Sequence, residues 1–549
     1  MCKRLNFFRT DLIIADPPAA VPAGIRESSA GQQEGGAGGV YGAAGAGTQS
    51  RARPASGVNS GSRRPASMLD WENGHRQKMG IRHLIVILTV SGLCILSPVK
   101  PVLGLYGYYW FGMMRPDILA WSGPNRYSLF LAAATLASNI PGMLRNLPLA
   151  FLNPILRGLL LFLLIVTISV VTAVDPSLCL DRYGLFLRVF VMAFVIPLVL
   201  ATPEQLRWFF IVVSGSLGLL GTKFGVYGVL HGGAVFQEGY GGLLSDNNTM
   251  ALAFAMAVPM CWFSRRLVPW KWARAGFVAL AAFCIGAVVF THSRGGILAV
   301  GSALLLITLC EKKKLLALGL LAVAGTGIAF LVWDSLSSRM STLMDPEKEA
   351  SARSRIILAQ SAPKLWLDYP LFGVGFTETN QQRLIFKYVP PEYAVAYAGK
   401  VLHNNWLQIL VDSGIFAFLL YVWLLLSTIK RMWSAGRRIS AAGSGEGAAI
   451  PFAIFTALGT FVVGATFLSR TTFDLYYILL CTAAAWMEIE RRRETSLPPP
   501  AAVPADSPAA ISLPVNARLD ADAAVPSAPG ARLGLGRFRS PRPRPHCHS

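Results

Sequence analysis

The chain has 549 residues, of which 53% are hydrophobic and only 14% charged. With apolar runs of about 17 residues or more, that balance excludes a string of soluble domains and points to a polytopic membrane protein. The net charge of +21 sits in short loops and two polar tails, not in a basic groove, which argues against nucleic acid as the partner.

Residues 1–78 are rich in Gly, Ala, Ser and Arg and contain no long apolar run. They read as disordered, or as an extension ahead of a membrane protein that begins near Met79-Gly80-Ile81-Arg82-His83. No apolar stretch follows Met1, so no signal peptide is read there. Apolar segments then run at 84–97, 101–115, 127–143, 155–174, 183–201, 207–230, 248–264, 274–291, 296–310 and 315–333. After a polar stretch come 404–428, 449–468 and 472–488. The runs are continuous rather than alternating, so helices satisfy the backbone in lipid. The first two are short and read as one broken helix or a re-entrant pair, giving about 12 spans. The expected fold is therefore all-α: a polytopic helical membrane domain over 79–493 with one large outer loop at 334–403. The Pro/Ala/Arg-rich residues 494–549 read as a disordered cytoplasmic tail.

Four basic clusters set the orientation: Arg265, Arg266, Lys271 and Arg274; Lys312–Lys314; Lys430, Arg431, Arg437 and Arg438; Arg491–Arg493. All four can be cytoplasmic, which leaves 334–403 and the turn Thr291–Gly296 outside. His403 and Arg294 then share the outer side. Within the outer loop, Ile356–Leu367 reads as an amphipathic helix and Asp368–Gly375 as a turn. Trp366, Phe372, Phe376 and Tyr388 are expected at the membrane interface.

The eight cysteines form no C-x-x-C and lie mostly in apolar runs, so they read as inert small hydrophobes, and no metal pattern is visible. No Walker loop, Rossmann fingerprint, H-E-x-x-H or G-x-S-x-G occurs. The stretch His403–Gly414 begins a helix with Asn404 or Asn405 near its N-cap. Such a terminus suits an anion, and His403 beside it titrates near neutrality. Arg294, in Ser293-Arg294-Gly295-Gly296, presents a planar fork to phosphate; the alternative is an arginine snorkelling to headgroups. His292 competes with His403 as the base. Lys223 is a charge inside an apolar run and Arg188 lies near the outer end of its segment; each reads as functional or as snorkelling. Arg353 and Arg355 either hold diphosphate or anchor the loop. Ser245-Asp246-Asn247-Asn248 reads chiefly as a helix cap, with a place facing the outer cavity as the alternative.

The order S-R-G-G between two spans, a long loop with P-x-x-G-x-G, and H-N-x-x-L-Q-x-L on the next helix resembles the O-antigen ligase and polymerase family. Met113-Met114-Arg115-Pro116 with Ala120-Trp121, Lys223-Phe224-Gly225 and Asp246-Asn247-Asn248 look closer still to O-glycosylation ligases associated with exosortase A. The resemblance covers roughly 79–490. Of the ligase pattern H-[NSQ]-x9-G-x-x-[GTY], His403, Asn404 and Gly414 match, whereas position 417 is Ala. The family implies glycan transfer from a polyprenyl-diphosphate carrier, such as undecaprenyl diphosphate, to an acceptor hydroxyl or amide. The acceptor would be a glycan, a lipid or a protein, and the reaction would lie on the periplasmic side of a bacterial inner membrane. It implies no cofactor, nucleotide or metal. By resemblance Arg294 receives the diphosphate, His403 is the general base, and Lys223, Arg188, Arg355 and Asn404 are lesser diphosphate contacts. A polymerase is the nearest alternative, and a transporter of lipid-linked glycan the second.

Overall fold

The computed structural model describes residues 81–120, 126–230, 238–241, 244–314, 319, 350–468 and 470–496. The expected N-terminal extension, the segment 315–333, most of the tail and the first part of the outer loop lie outside the described residues.

Helices dominate, as the continuous apolar runs require. They are α1 (Ile81–Leu96), α2 (Pro101–Met114), α3 (Tyr127–Asn146), α4 (Pro154–Val171), α5 (Pro176–Val199) and α6 (Pro203–Leu230). After a short antiparallel pair, β1 (Glu238–Gly241) and β2 (Leu244–Asp246), come α7 (Asn247–Ser264), α8 (Lys271–Phe290) and α9 (Arg294–Cys310). A helical crown follows: α10 (Ala350–Asp368), α11 (Glu378–Leu384) and α12 (Pro391–Tyr397). The chain closes with α13 (Asn405–Ala441), α14 (Ala449–Gly464) and α15 (Asp474–Ser496). The β pair is a small departure from the all-α expectation. Among the described residues, seven helices are long and apolar enough to cross a membrane: α3, α4, α5, α6, α8, α13 and α14, the last continued to Phe467. Helices α1 and α9 are apolar but shorter. The expected 12 spans are thus not all matched by length. The first two apolar runs form two separate helices, α1 and α2, joined by the turn at Ser97–Lys100.

Helix α7 explains how the bundle is organised. Every side chain from Thr249 to Ser264 is buried, so the helix has no solvent or lipid face. A helix apolar all round belongs in the interior, and its alternating alanines at 251, 253, 255 and 257 let neighbours approach. It packs against α6, α8, α9 and α14. Where α6 meets α8, Gly218, Gly221, Gly225 and Gly228 face Leu280, Cys284, Phe283 and Phe290 so closely that a Cβ would clash. Small residues at such spacing are how apolar helices associate without a hydrophobic drive.

The basic clusters gather on the face opposite the crown, as the loop pattern predicts. Arg265 and Arg266 pair with Glu311 at 2.9 and 2.6 Å, and Arg438 pairs with Glu494 at 3.3 Å. Arg492 donates to Asn146 at 3.1 Å. Helix α3 ends at Asn146 on that face, so it starts on the crown face. There Tyr127 bonds His83 at 3.0 Å, which puts the beginning of α1 on the crown face too.

The crown is bound to the bundle by backbone. The loop Pro370–Phe376 runs across α13, which is not one continuous helix as expected but kinks at Gly414 (φ 74°, ψ −174°). The kink frees carbonyls that the loop then uses. Val374 N donates to Val411 O at 3.0 Å, Gly375 N to Asp412 O at 2.9 Å, and Ile415 N to Pro370 O at 3.0 Å. Val174 N, in the α4–α5 turn, donates to Val374 O at 3.0 Å, and Ser169 Oγ to Asp412 O at 2.9 Å. At the crossing a Cβ on Gly414 would land on the Leu371 carbonyl, and one on Gly373 on the Asp412 peptide. Both glycines have φ above +70°. Only glycine satisfies both demands. The two glycine motifs of the sequence are therefore two sides of one contact. Phe376 is buried against Phe186, ring centroids 4.8 Å apart, rather than at the membrane interface as expected.

Replacing Gly414 by Ala is expected to cost about 1–3 kcal/mol in backbone strain alone, and more through the clash. Gly399 also has positive φ (+77°), but nothing lies within 4 Å of its would-be Cβ, so Gly399→Ala isolates the strain. Thermal unfolding in detergent should show a clearly larger fall in Tm for Gly414→Ala. Equal falls would contradict the crossing.

Candidate active site

Three helices start on the crown face with their first turns tied together, and each carries a side-chain cap. Asp246 Oδ1 accepts from Asn248 N at 3.0 Å and Thr249 N at 2.9 Å, opening α7. Ser293 Oγ accepts from Gly296 N at 3.2 Å, opening α9. Asn404 Oδ1 accepts from Trp406 N at 3.0 Å and Leu407 N at 3.1 Å, opening α13. The caps expected at Ser293, at Asn404 and in the Asp246 stretch are all formed, each worth about 1 kcal/mol.

Side chains fasten these ends to one another. Ser293 Oγ donates to Asn248 Oδ1 at 2.8 Å, joining α9 to α7. Trp406 Nε1 donates to Thr466 Oγ1 at 3.3 Å, joining α13 to the connection after α14. From that connection Arg470 reaches Asp246 at 3.2 Å. Gly295 and Gly296 permit the convergence. A Cβ on Gly295 would come within 2.5 Å of Phe467 Cβ, and one on Gly296 within 2.7 Å of Ala251 Cβ. The S-R-G-G motif is thus a close-approach device that carries Arg294 at the first helical position of α9. Three N-termini aimed at one region add their positive dipole ends there.

His403 stands immediately before Asn404, half-buried, with a left-handed backbone (φ 53°). His292, the rival base, sits in the α8–α9 turn with φ also 53°. Such backbone is uncommon outside glycine and concentrates at functional sites. Burial first, then the Arg355 guanidinium and Lys400, push the His403 imidazole down to about 4, with Asp246 pulling the other way. At neutral pH His403 is therefore uncharged and able to accept a proton. Arg355, on α10, belongs to its electrostatic surroundings, as Lys400 does.

The other expected contacts divide. Arg188 lies near the middle of α5, deeper than its expected place near the outer end. It shares electrostatic reach of Tyr108 with Asp474, and Asp474 in turn feels Arg470. Lys223 is exposed on α6, its ammonium 5.6 Å from the Phe224 ring, near the exposed Val226 and Tyr227. Asn404 is committed through its carboxamide oxygen to the helix cap. Asp246, which the sequence offers as a cap or a cavity-facing group, is both the cap of α7 and the partner of Arg470, a residue the sequence does not single out. Arg353 stacks on Tyr393 at 4.9 Å, Tyr393 on Tyr397 at 5.5 Å, and Lys400 on Tyr397 at 4.6 Å, a ladder that fixes Lys400 near His403.

Residues 279–422 match the O-antigen ligase family. The match spans Arg294, the crown, His403 and the Gly414 kink. Residues 81–267 match a second family, one of unknown function, which takes in Arg188, Lys223 and Asp246. Arg470 lies beyond both. A comparison with curated proteins finds no match. The O-antigen ligase match, with the apolar helices, supports a multi-pass membrane glycan enzyme of the ligase or polymerase type. Among the described residues no cluster of three or more His, Cys, Asp or Glu could hold a metal ion.

The convergence makes a stability prediction within one helix. Gly295→Ala forces its methyl against Phe467 and should lower Tm. Gly301→Ala, with nothing within 4 Å, gains helix propensity of up to about 1 kcal/mol and should leave Tm unchanged or raise it. The same shift in both variants would contradict the close approach.

Proposed function

We propose that this protein transfers a glycan from a polyprenyl-diphosphate carrier to an acceptor hydroxyl or amide, at the periplasmic face of the inner membrane. The observation that supports this reading is a neutral, half-buried His403 at the capped N-terminus of α13, under the charges of Arg355, Lys400 and Asp246, on the crown face where α9 also begins at Arg294. The donor's diphosphate takes its place against Arg294 and the helix ends, with Arg355 as a further contact. His403 accepts the proton of the acceptor as the acceptor oxygen or nitrogen attacks the anomeric carbon. The bond from that carbon to the diphosphate breaks, and its electron pair leaves with the diphosphate. A diphosphate is already a good leaving group, so positioning and electrostatics supply most of the acceleration.

The depressed basicity of His403 fits this order of events. Without donor, Arg355 and Lys400 oppose protonation. A bound dianion offsets those charges and strengthens the base once the donor is in place. A link to exosortase A rests on resemblance alone. Ala417, buried where the ligase pattern asks for Gly, Thr or Tyr, favours the polymerase as the second reading.

Transfer is to be measured in proteoliposomes holding carrier-linked glycan, at matched protein levels. His403→Ala is expected to lose about 10²–10⁴-fold and Arg294→Ala about 10²–10³-fold, with Arg294→Lys restoring only part. Wild-type rates from both alanine variants would overturn the reading. The acid limb of kcat/KM, which reports free enzyme, should lie near 4 and move to higher pH in Arg355→Gln, because removing a cation eases protonation of His403. The acid limb of kcat should lie above that of kcat/KM. A limb unmoved by Arg355→Gln would contradict the assignment of the base.

A further inference from the structure

Three buried side chains form a ladder that ends beside the base. Gln408, in the first part of α13, is fully buried, as are Asp412 on the same helix and Gln381 on α11. A buried carboxamide costs stability unless its hydrogens find acceptors. Gln408 Nε2 stands between two oxygens: it donates to Asp412 Oδ1 at 2.9 Å and to Gln381 Oε1 at 3.4 Å. Two acceptors around one end of the amide settle which end is the nitrogen. Gln381 Nε2 in turn donates to the backbone carbonyl of Lys400 at 3.3 Å. Beside it Gly399 N donates to Gln382 O at 3.2 Å. The segment Gly399–Leu402, which leads into His403, is therefore hung from α11, and α11 is hooked to α13. Gln381 both accepts and donates, which an apolar or ionised acidic side chain of that length does not do.

His403 needs such support. Its left-handed backbone (φ 53°) persists only where the surroundings impose it. On its C-terminal side Asn404 is fixed by capping α13. On its N-terminal side Leu402 is buried in the crown, and Gln381 holds the Lys400 peptide. We propose that Gln381, braced by Gln408, is a positioning residue for the base: it sets the path of Gly399–Leu402 and thereby the place of the His403 imidazole. The proposal rests on His403 being the base. Gln381 touches neither donor nor acceptor and moves no proton. A catalytic group displaced by about 1 Å loses on the order of 10²-fold in rate, while a donor held at α9 stays where it is.

The next residue supplies the control. Asn380 is also buried on α11, but its amide donates to Asp175 O at 3.1 Å and to Cys179 Sγ at 3.2 Å, which holds α11 to α5 and not to the base segment. Full-length Gln381→Met and Asn380→Leu are to be compared in proteoliposomes with polyprenyl-diphosphate-linked glycan, with Tm read in parallel. Both should lower Tm. Only Gln381→Met should also lower kcat, by about tenfold or more, with the KM for donor unchanged. Gln408→Met removes the brace and should give the same split more weakly; it decides by the same criteria if Gln381→Met does not insert. A merely structural role predicts that kcat follows stability, alike at both positions of α11. Wild-type kcat in Gln381→Met, or an equal fall in Asn380→Leu, with His403→Ala inactive, overturns the positioning alone. Transfer by His403→Ala overturns the base assignment and the positioning with it.

Discussion

One backbone crossing governs the rest. The loop Pro370–Phe376 lies on α13 at Gly414, peptide against peptide, with no side chain between. Because the helix kinks there, its first nine residues, Asn405–Ser413, take their own direction. Those residues carry Asn404 and His403 at their start. The segment after the kink, 415–441, is about 40 Å long at 1.5 Å per residue, enough to cross a hydrocarbon core of about 30 Å. Membrane crossing and site building are thus done by separate parts of one helix. The crossing also ties the crown to the α4–α5 turn through Val174 and Ser169.

A second constraint is the burial of α7. With no lipid face of its own, α7 fixes the positions of α6, α8, α9 and α14 around it, and its N-terminus meets that of α9 through Ser293 and Asn248. Small residues do the fitting: Ala251 against Gly296, and Gly464 close to Leu252 and Ala299. Each first turn brings orphan N–H groups. The caps satisfy some of them and leave the dipole ends facing one polar region at the edge of an apolar bundle. Arg294, Arg355, Lys400 and Arg470 make that region cationic, with Asp246 as the counterweight. A base held neutral among cations is a poor base until an anion arrives, so donor and base are coupled through charge alone.

Much of this was legible in the chain. Continuous apolar runs gave helices, basic clusters gave a common face, and Ser293 and Asn404 read correctly as caps because capping is a local matter of one side chain and the next turn. The kink at Gly414 was not legible. An apolar run gives no sign that another loop will lie across it, and Gly373 and Gly414 are 41 residues apart in sequence. Phe376 looked interfacial because aromatics often are, yet it fills space against Phe186. Asp246 and Arg470 escaped as a pair for the same reason as the crossing: their relation exists only in three dimensions. Asn404 caps α13 through its oxygen, and an expected contact with diphosphate would use its amide N–H groups instead.

The most direct test is structural: electron cryomicroscopy of the protein in nanodiscs with a polyprenyl-diphosphate-linked glycan. The diphosphate is predicted beside the first turn of α9, within hydrogen-bonding reach of the Arg294 guanidinium, with His403 facing the sugar side of the bond to be broken. Diphosphate density on α6 at Lys223, with none beside Arg294, would contradict the site.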